Sequence, residues 1–181
     1  MAKCGLPIMV SSFVTKRTST GIVMNIFLLD KNTKTNAAMH CDKHVVKMIL
    51  EYAQLLSTAH HVLDGENVPE GLYRKTHANH PSAKWVRESN NNYTWLYCLF
   101  TDLCDEYTHR YSKTHATDKK LRKTLMSLPK NIPVGYLTPI PQCMPDEFKT
   151  DNPVDAYRNY YRGDKAYMAK WSHREVPEWF S

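Results

Sequence analysis

Lys47 and Glu51 lie four residues apart in a stretch whose apolar residues recur at helical spacing, so both fall on one helix face. An amine beside a carboxylate suits covalent amine chemistry. A desolvated lysine can attack an aldehyde carbon while the carboxylate shuttles the proton. The same spacing also describes an ordinary helix ion pair worth about 0.2–0.5 kcal/mol, in the less favourable order, lysine before glutamate. His40 and His44 sit one turn apart on the same face, and His77 and His80 follow in the loop THANHP. Imidazoles at this spacing can ligate a metal, but the sequence reads HCDKH rather than HExxH, and Cys41 points about 100° away. No metal ion is assigned, and the chemistry requires no cofactor. Glu51, Lys47, His44 and His40 form the expected catalytic set.

A second group is compositional. His77, Asn79, His80, Arg87, Asn92, Arg158 and Lys165 are candidates for binding substrate: the histidines and Asn79 from a loop closed by Pro81, the others from helices. The stretch Tyr157 to Lys170 interleaves tyrosines with basic residues, which suits stacking on bases and neutralising phosphates. Tyrosines packed inward with basic tips outward would produce the same pattern.

The element that must position the catalytic set is a long helix, Asn36 to Leu63, capped by Asn36 and stopped at Asp64–Gly65. Cys41, Val45, Met48, Tyr52, Leu55, Ala59 and Val62 mark its core side. One position earlier on each turn runs a polar row: His40, His44, Lys47, Glu51, Gln54, Thr58, His61. Such a row beside a core is either a flank of buried, hydrogen-bonded groups or the wall of a cleft. The cleft wall is the reading taken forward.

Around this helix the sequence predicts a short extended segment over Ile26 to Leu29. A second long helix runs from about Ala83 to Ser112, capped by Ser82, with Asn90, Asn91 and Asn92 in its interior as poor helix formers. A shorter basic helix follows from Thr117 to about Leu128. Residues 129–151 hold Pro133, Pro139, Pro141 and Pro145, and can present Tyr136, Gln142 and Asp146 from an irregular connection. A last helix starts at Asn152–Pro153 and runs to about Ser172, and the end, VPEWF, folds back over an apolar groove. The expected fold is mainly α, a compact single-domain helical bundle with a short N-terminal extended segment and long Pro-rich loops. Residues 24–181 make that domain. Residues 1–23 carry no acidic group and read as an N-terminal extension.

At 181 residues and 42% hydrophobic, the chain can bury one core. A net charge of +6 and a pI near 9.0 suit a polyanionic partner, double-stranded DNA above all. The odd count of 5 cysteines without CxxC spacing reads as reduced thiols in an intracellular protein. No apolar run reaches the roughly 20 residues that a membrane span needs. Gly-rich phosphate loops, nucleophile-elbow serines and dinucleotide fingerprints are absent from the sequence.

The phrases HCDKHVVKMILEYAQLLSTAH, THANHPSAKWVRES, TPIPQCMPDEFK and VDAYRNYYRGDKAYMAKW resemble a family of small phage-encoded proteins, from Met24 to the C-terminus. A fainter likeness is to phage pyrimidine-dimer DNA glycosylases of the endonuclease V type. It rests on the extended opening, the helix carrying His40, Lys47 and Glu51, the NHP turn at Asn79 to Pro81, and the late YRNYY. That resemblance implies a compact, mostly helical, basic protein that flips a nucleotide and cuts the glycosidic bond with an amine nucleophile and a glutamate. The amine in that family is the α-amine exposed when the initiator methionine is removed. Asn25 after Met24 is too large for ready removal, and a start at Met1 places the amine on Ala2. Lys43 or Lys47 then takes the role, or the chemistry differs.

The reading adopted is a DNA glycosylase with lyase activity on damaged or modified pyrimidines, acting in the cytoplasm of an infected host cell. A DNA-modifying transferase or metal-assisted hydrolase using the same pocket stays open, as does a non-enzymatic module binding DNA or a host protein. The sequence fixes no oligomeric state.

Overall fold

Cys41, Val45, Met48, Tyr52, Leu55 and Ala59 are completely buried, and they define the axis on which the rest of the chain packs. Of these, Val45, Met48 and Leu55 each contribute roughly 1.5–3 kcal/mol when taken fully out of water. The computed structural model describes residues 24–181, so the extension expected over residues 1–23 lies outside it. Met24 to Leu29 run extended and buried, as expected, and six α-helices follow. These are α1 (Thr33–Met39), α2 (Asp42–Asp64), α3 (Pro81–Glu88), α4 (Asn90–Tyr111), α5 (Ala116–Leu125) and α6 (Pro153–Arg162). Helix α2 lies at the centre against α3, α4 and α5, while α1 packs on α4. Among the described residues there is no strand, and no helix is long and apolar enough to cross a membrane.

The helix expected from Asn36 to Leu63 is two helices. His40 and Cys41 both adopt extended dihedrals (ψ 134° and 160°), which breaks the hydrogen-bond ladder between α1 and α2. Other groups supply the missing bonds. The amide of Asp42 donates to Lys170 O at 2.7 Å, and the Asp42 carboxylate accepts from Ser172 N and Oγ and from Arg110. An acidic residue at a helix start is also favoured by the helix dipole. Asn36 therefore caps nothing; it is buried within α1, where its Oδ1 accepts from Leu29 N. Asn32 is the cap. At the far end of α2, Gly65 takes φ 63°, the positive-φ stop expected of glycine.

The second predicted helix also divides. Ser89 at φ −152° separates α3 from α4, and its Oγ caps α4 by accepting from Asn92 N. Asn90 and Asn92 thus open a helix instead of interrupting one, and they fasten the Pro-rich segment. Asn90 Oδ1 accepts from Gly135 N. Asn92 Nδ2 donates to Trp85 O and Thr138 Oγ1, and its Oδ1 accepts from Thr138 N. Helix α6 begins at Pro153, capped by Asn152 as expected, but ends at Arg162 rather than near Ser172. Gly163 follows, and a Cβ there would strike the Phe148 ring.

The tail folds back as anticipated. Trp171 Nε1 donates to Met39 O, the Trp179 ring packs against Tyr161, and the Phe180 ring against Trp171. A charged clasp holds it there. Buried Arg110 donates from Nε to Glu106, from Nη1 to Asp42 and from Nη2 to Ala38 O, and Arg174 of the tail adds two bonds to Glu106.

Candidate active site

The polar row does not stand as a single file in one hollow; it divides into three parts. The first is sealed. His40 lies in the α1–α2 break with no exposure, and its Nδ1–H donates to Asn36 O at 2.8 Å. Its Nε2 must then accept, so the Tyr52 hydroxyl donates to it at 3.0 Å while accepting from Phe27 N. Burial pushes the His40 pKa down to about 4 against the opposing Asn36 bond, so the ring is neutral. With both nitrogens engaged inside the core, His40 faces no substrate; it fixes Tyr52 and the extended opening. This corrects the expectation that it lines the pocket.

The third part is covered. Thr58 Oγ1 bonds Thr76 through both backbone groups, and His61 Nε2–H donates to Tyr73 O, so residues 73–76 run along the C-terminal half of α2.

The middle part holds His44, Lys47 and Glu51. His44 stacks on Phe27 with ring centres 4.3 Å apart, and its Nδ1 lies 2.5 Å from Tyr161 Oη. Burial first, with the charges of Lys165 and Lys47 adding to it, holds its pKa well below the usual value, so it stands as a neutral base. Among the described residues no hydrogen bond reaches its Nε2. One turn on, Lys47 Nζ sits 3.0 Å from Glu51 Oε1. The lysine side chain is 62% exposed and the glutamate 6%, so the carboxylate is buried and its partner is in solvent. Burial raises the Glu51 pKa, and the hydrogen bond and charge of Lys47 only partly offset it. The desolvated lysine expected from the sequence is not what the structure contains; the desolvated group is the carboxylate.

The THANHP loop is held in a fixed turn beside α3. His77 takes φ 46°, a left-handed conformation that costs a non-glycine residue roughly 1–3 kcal/mol. His80 N closes the turn on His77 O, and Arg87 Nη1 donates to Ala78 O and Ala83 O. His80 Nδ1 caps α3 by accepting from Ser82 N, and Ser82 Oγ reaches back to Met24 O. His77 and Asn79 are exposed. His80 lines a cleft of about 650 Å³ with Pro141, Gln142, Met144, Lys149 and Tyr160; Glu51 is not part of its wall.

The residues expected to meet phosphate differ in what they can do. Lys165 lies 4.6 Å over the Tyr160 ring, close enough to His44 to depress its pKa. Arg158 donates to Leu29 O and stacks on Trp179, and Arg87 is engaged with two carbonyls, so both guanidinium groups brace the fold. Asn92 is fully buried with its amide satisfied, and it faces no ligand. Sequence reasoning missed the tyrosines that orient the histidines, Tyr52 and Tyr161. Both fell among residues read as packing, and their hydroxyls had no sequence signal. Among the described residues no three His, Cys, Asp or Glu side chains group as metal ligands.

Comparison with known families bears on this arrangement directly. The model of the pyrimidine dimer DNA glycosylase family matches residues 24–119, more than half of the chain. The chain belongs to the pyrimidine dimer DNA glycosylase family. The match spans His44, Lys47, Glu51 and the whole THANHP loop, and it begins at Met24, where the described fold begins. Lys165 and the tail lie beyond it. No curated protein and no solved structure matches the chain. As a DNA glycosylase of this family, the protein has DNA as its partner and DNA repair as its role. The comparisons lend nothing to the transferase, hydrolase or non-enzymatic readings.

Proposed function

We propose that Glu51 is the acid/base group of this glycosylase, acting on a damaged pyrimidine nucleotide in double-stranded DNA. The observation that carries the assignment is a buried carboxyl with raised proton affinity whose described partner is one solvent-exposed amine. Such a group holds a proton at pH values where an ordinary glutamate has lost it, and can deliver it. The lesion nucleotide leaves the base stack. The bond from C1′ to the base nitrogen breaks, the nitrogen keeps the electron pair, and an amine or a water molecule takes its place at C1′, with Glu51 carrying the proton between the incoming group and the base. If an amine adds at C1′, an imine links protein and sugar, and loss of a 2′ proton then eliminates the 3′ phosphate, which is the lyase step. Lys47 holds the carboxyl by charge. His44, neutral and fixed by Tyr161, borders the same spot.

His77, Asn79 and His80 are proposed to meet the DNA from their fixed turn, with Lys47 and Lys165 beside the phosphates. Arg87 and Arg158 support this surface from behind through their carbonyl contacts. The described residues 24–181 act as one unit.

Borohydride trapping on a duplex with a single cyclobutane pyrimidine dimer tests the scheme. Glycosidic cleavage, read as alkali-labile strand scission because the cut base stays tethered through the cyclobutane ring, and a covalent adduct are expected from the unsubstituted protein. An adduct that survives Lys47→Ala assigns Lys47 the electrostatic role, whereas its loss makes Lys47 the amine. Neither glycosidic cleavage nor adduct on any pyrimidine lesion would overturn the proposal.

A further inference from the structure

Between α6 and the tail, residues 163–171 form a strap across the start of α2. It is pinned at both ends. Gly163 N bonds Asn159 O at one end; at the other, Lys170 O accepts from Asp42 N and Trp171 Nε1 donates to Met39 O. Its middle is a tight turn, with Met168 N on Lys165 O and Ala169 N on Ala166 O. A segment so fixed could have turned both of its aromatics inward, as it does Trp171. Instead Tyr167 is 82% exposed. One cation faces it and two more flank it along the chain. Lys43 Nζ of α2 lies 6.0 Å from the ring centre, Lys165 is two residues before it, and exposed Lys170 is three residues after. Lys43 precedes His44 in α2, so the ring stands beside the first turn of that helix. A rigidly displayed aromatic face among lysines matches what unstacked nucleic acid offers: a flat base between phosphates.

We infer that Tyr167 stacks on a nucleobase that the lesion leaves unstacked, while Lys43 and Lys170 take the flanking phosphates. This rests on the glycosylase reading. The ring supplies affinity for the distorted site and takes no part in bond cleavage.

The test compares the unsubstituted protein, Tyr167→Ala and Tyr167→Phe on two labelled duplexes, one with a single pyrimidine dimer and one undamaged. Binding is read by fluorescence anisotropy at fixed salt, and glycosidic cleavage by alkali-labile strand scission under saturating protein. Because the side chain is exposed, both variants should keep the parent circular dichroism spectrum. Tyr167→Ala should bind the damaged duplex about 5- to 150-fold more weakly, with a much smaller change on the undamaged one. Tyr167→Phe should bind as the parent does, and glycosidic cleavage at saturation should be unchanged in both. Equal binding of the damaged duplex by parent and Tyr167→Ala overturns the inference, and so does an equal loss in Tyr167→Phe. Failure of the glycosylase reading shows separately, as no glycosidic cleavage by the unsubstituted protein, and the inference then falls with it.

Discussion

Two glutamates in this protein are equally buried, each 5% exposed, and they behave in opposite ways. Around Glu106, burial works to raise the pKa, but the hydrogen bonds and charges of Arg174 and Arg110 outweigh it, and the carboxyl titrates below its ordinary value. Around Glu51, burial wins, because the opposing charge is one lysine whose side chain is largely in water. Full satisfaction turns a buried carboxylate into a structural pin, and partial satisfaction leaves it reactive. Burial alone would have placed both in the same class.

The comparison can be broken at several points. Glu51→Gln should lower single-turnover glycosidic cleavage by about 100- to 10,000-fold while Glu106→Gln leaves the rate per folded molecule near that of the parent. Equal losses would show that both residues act through the fold. Arg110→Ala should destabilise the protein by about 2–4 kcal/mol in urea unfolding, since it leaves buried Glu106 with Arg174 alone and half-buried Asp42 with Ser172 alone. A change below about 1 kcal/mol would mean that the clasp is ornamental.

His40 sharpens the same contrast through pH. Its pKa is near 4 folded and 6.5 free, so the unfolded chain binds the extra proton between those values. Its stabilising contribution is therefore complete above pH 6.5 and is lost as the pH falls towards 4. Urea midpoints measured across that window should fall with acidification, and His40→Gln should flatten the trend. Asn92→Ala should cost about 1–3 kcal/mol by stranding Thr138 N and Trp85 O, without changing DNA affinity per folded molecule. The smallest effect runs the other way. Glu51→Gln should raise stability at neutral pH by about 0.5–2 kcal/mol, because removing a poorly satisfied buried charge relieves the fold.

Much of this was legible in the residues. The apolar stripe of α2 named its own buried face from Cys41 to Ala59, with Val62 alone emerging at 38% exposure. The Asn152 cap, the Gly65 stop and the fold-back of the tail were also written locally, in single residues with one dominant preference. The helix breaks were not. His40 and Cys41 become extended because Lys170, Ser172 and Arg110, far along the chain, supply the bonds that a continuous helix would have supplied. The triple asparagine did signal a broken local rule, and the reason is the docking of residues 133–138 more than 40 positions away. At the site, the spacing of His44, Lys47 and Glu51 was readable. Which of them is desolvated was not, since Lys47 and Glu51 share a face and differ only in how far the side chain reaches into water.

Carboxyl-carbon NMR titration of the two glutamates in one sample tests the central claim most directly. The account predicts that Glu51 titrates above the ordinary glutamate value of 4.5 and Glu106 below it. A Glu51 midpoint at or below 4.5 would contradict the account.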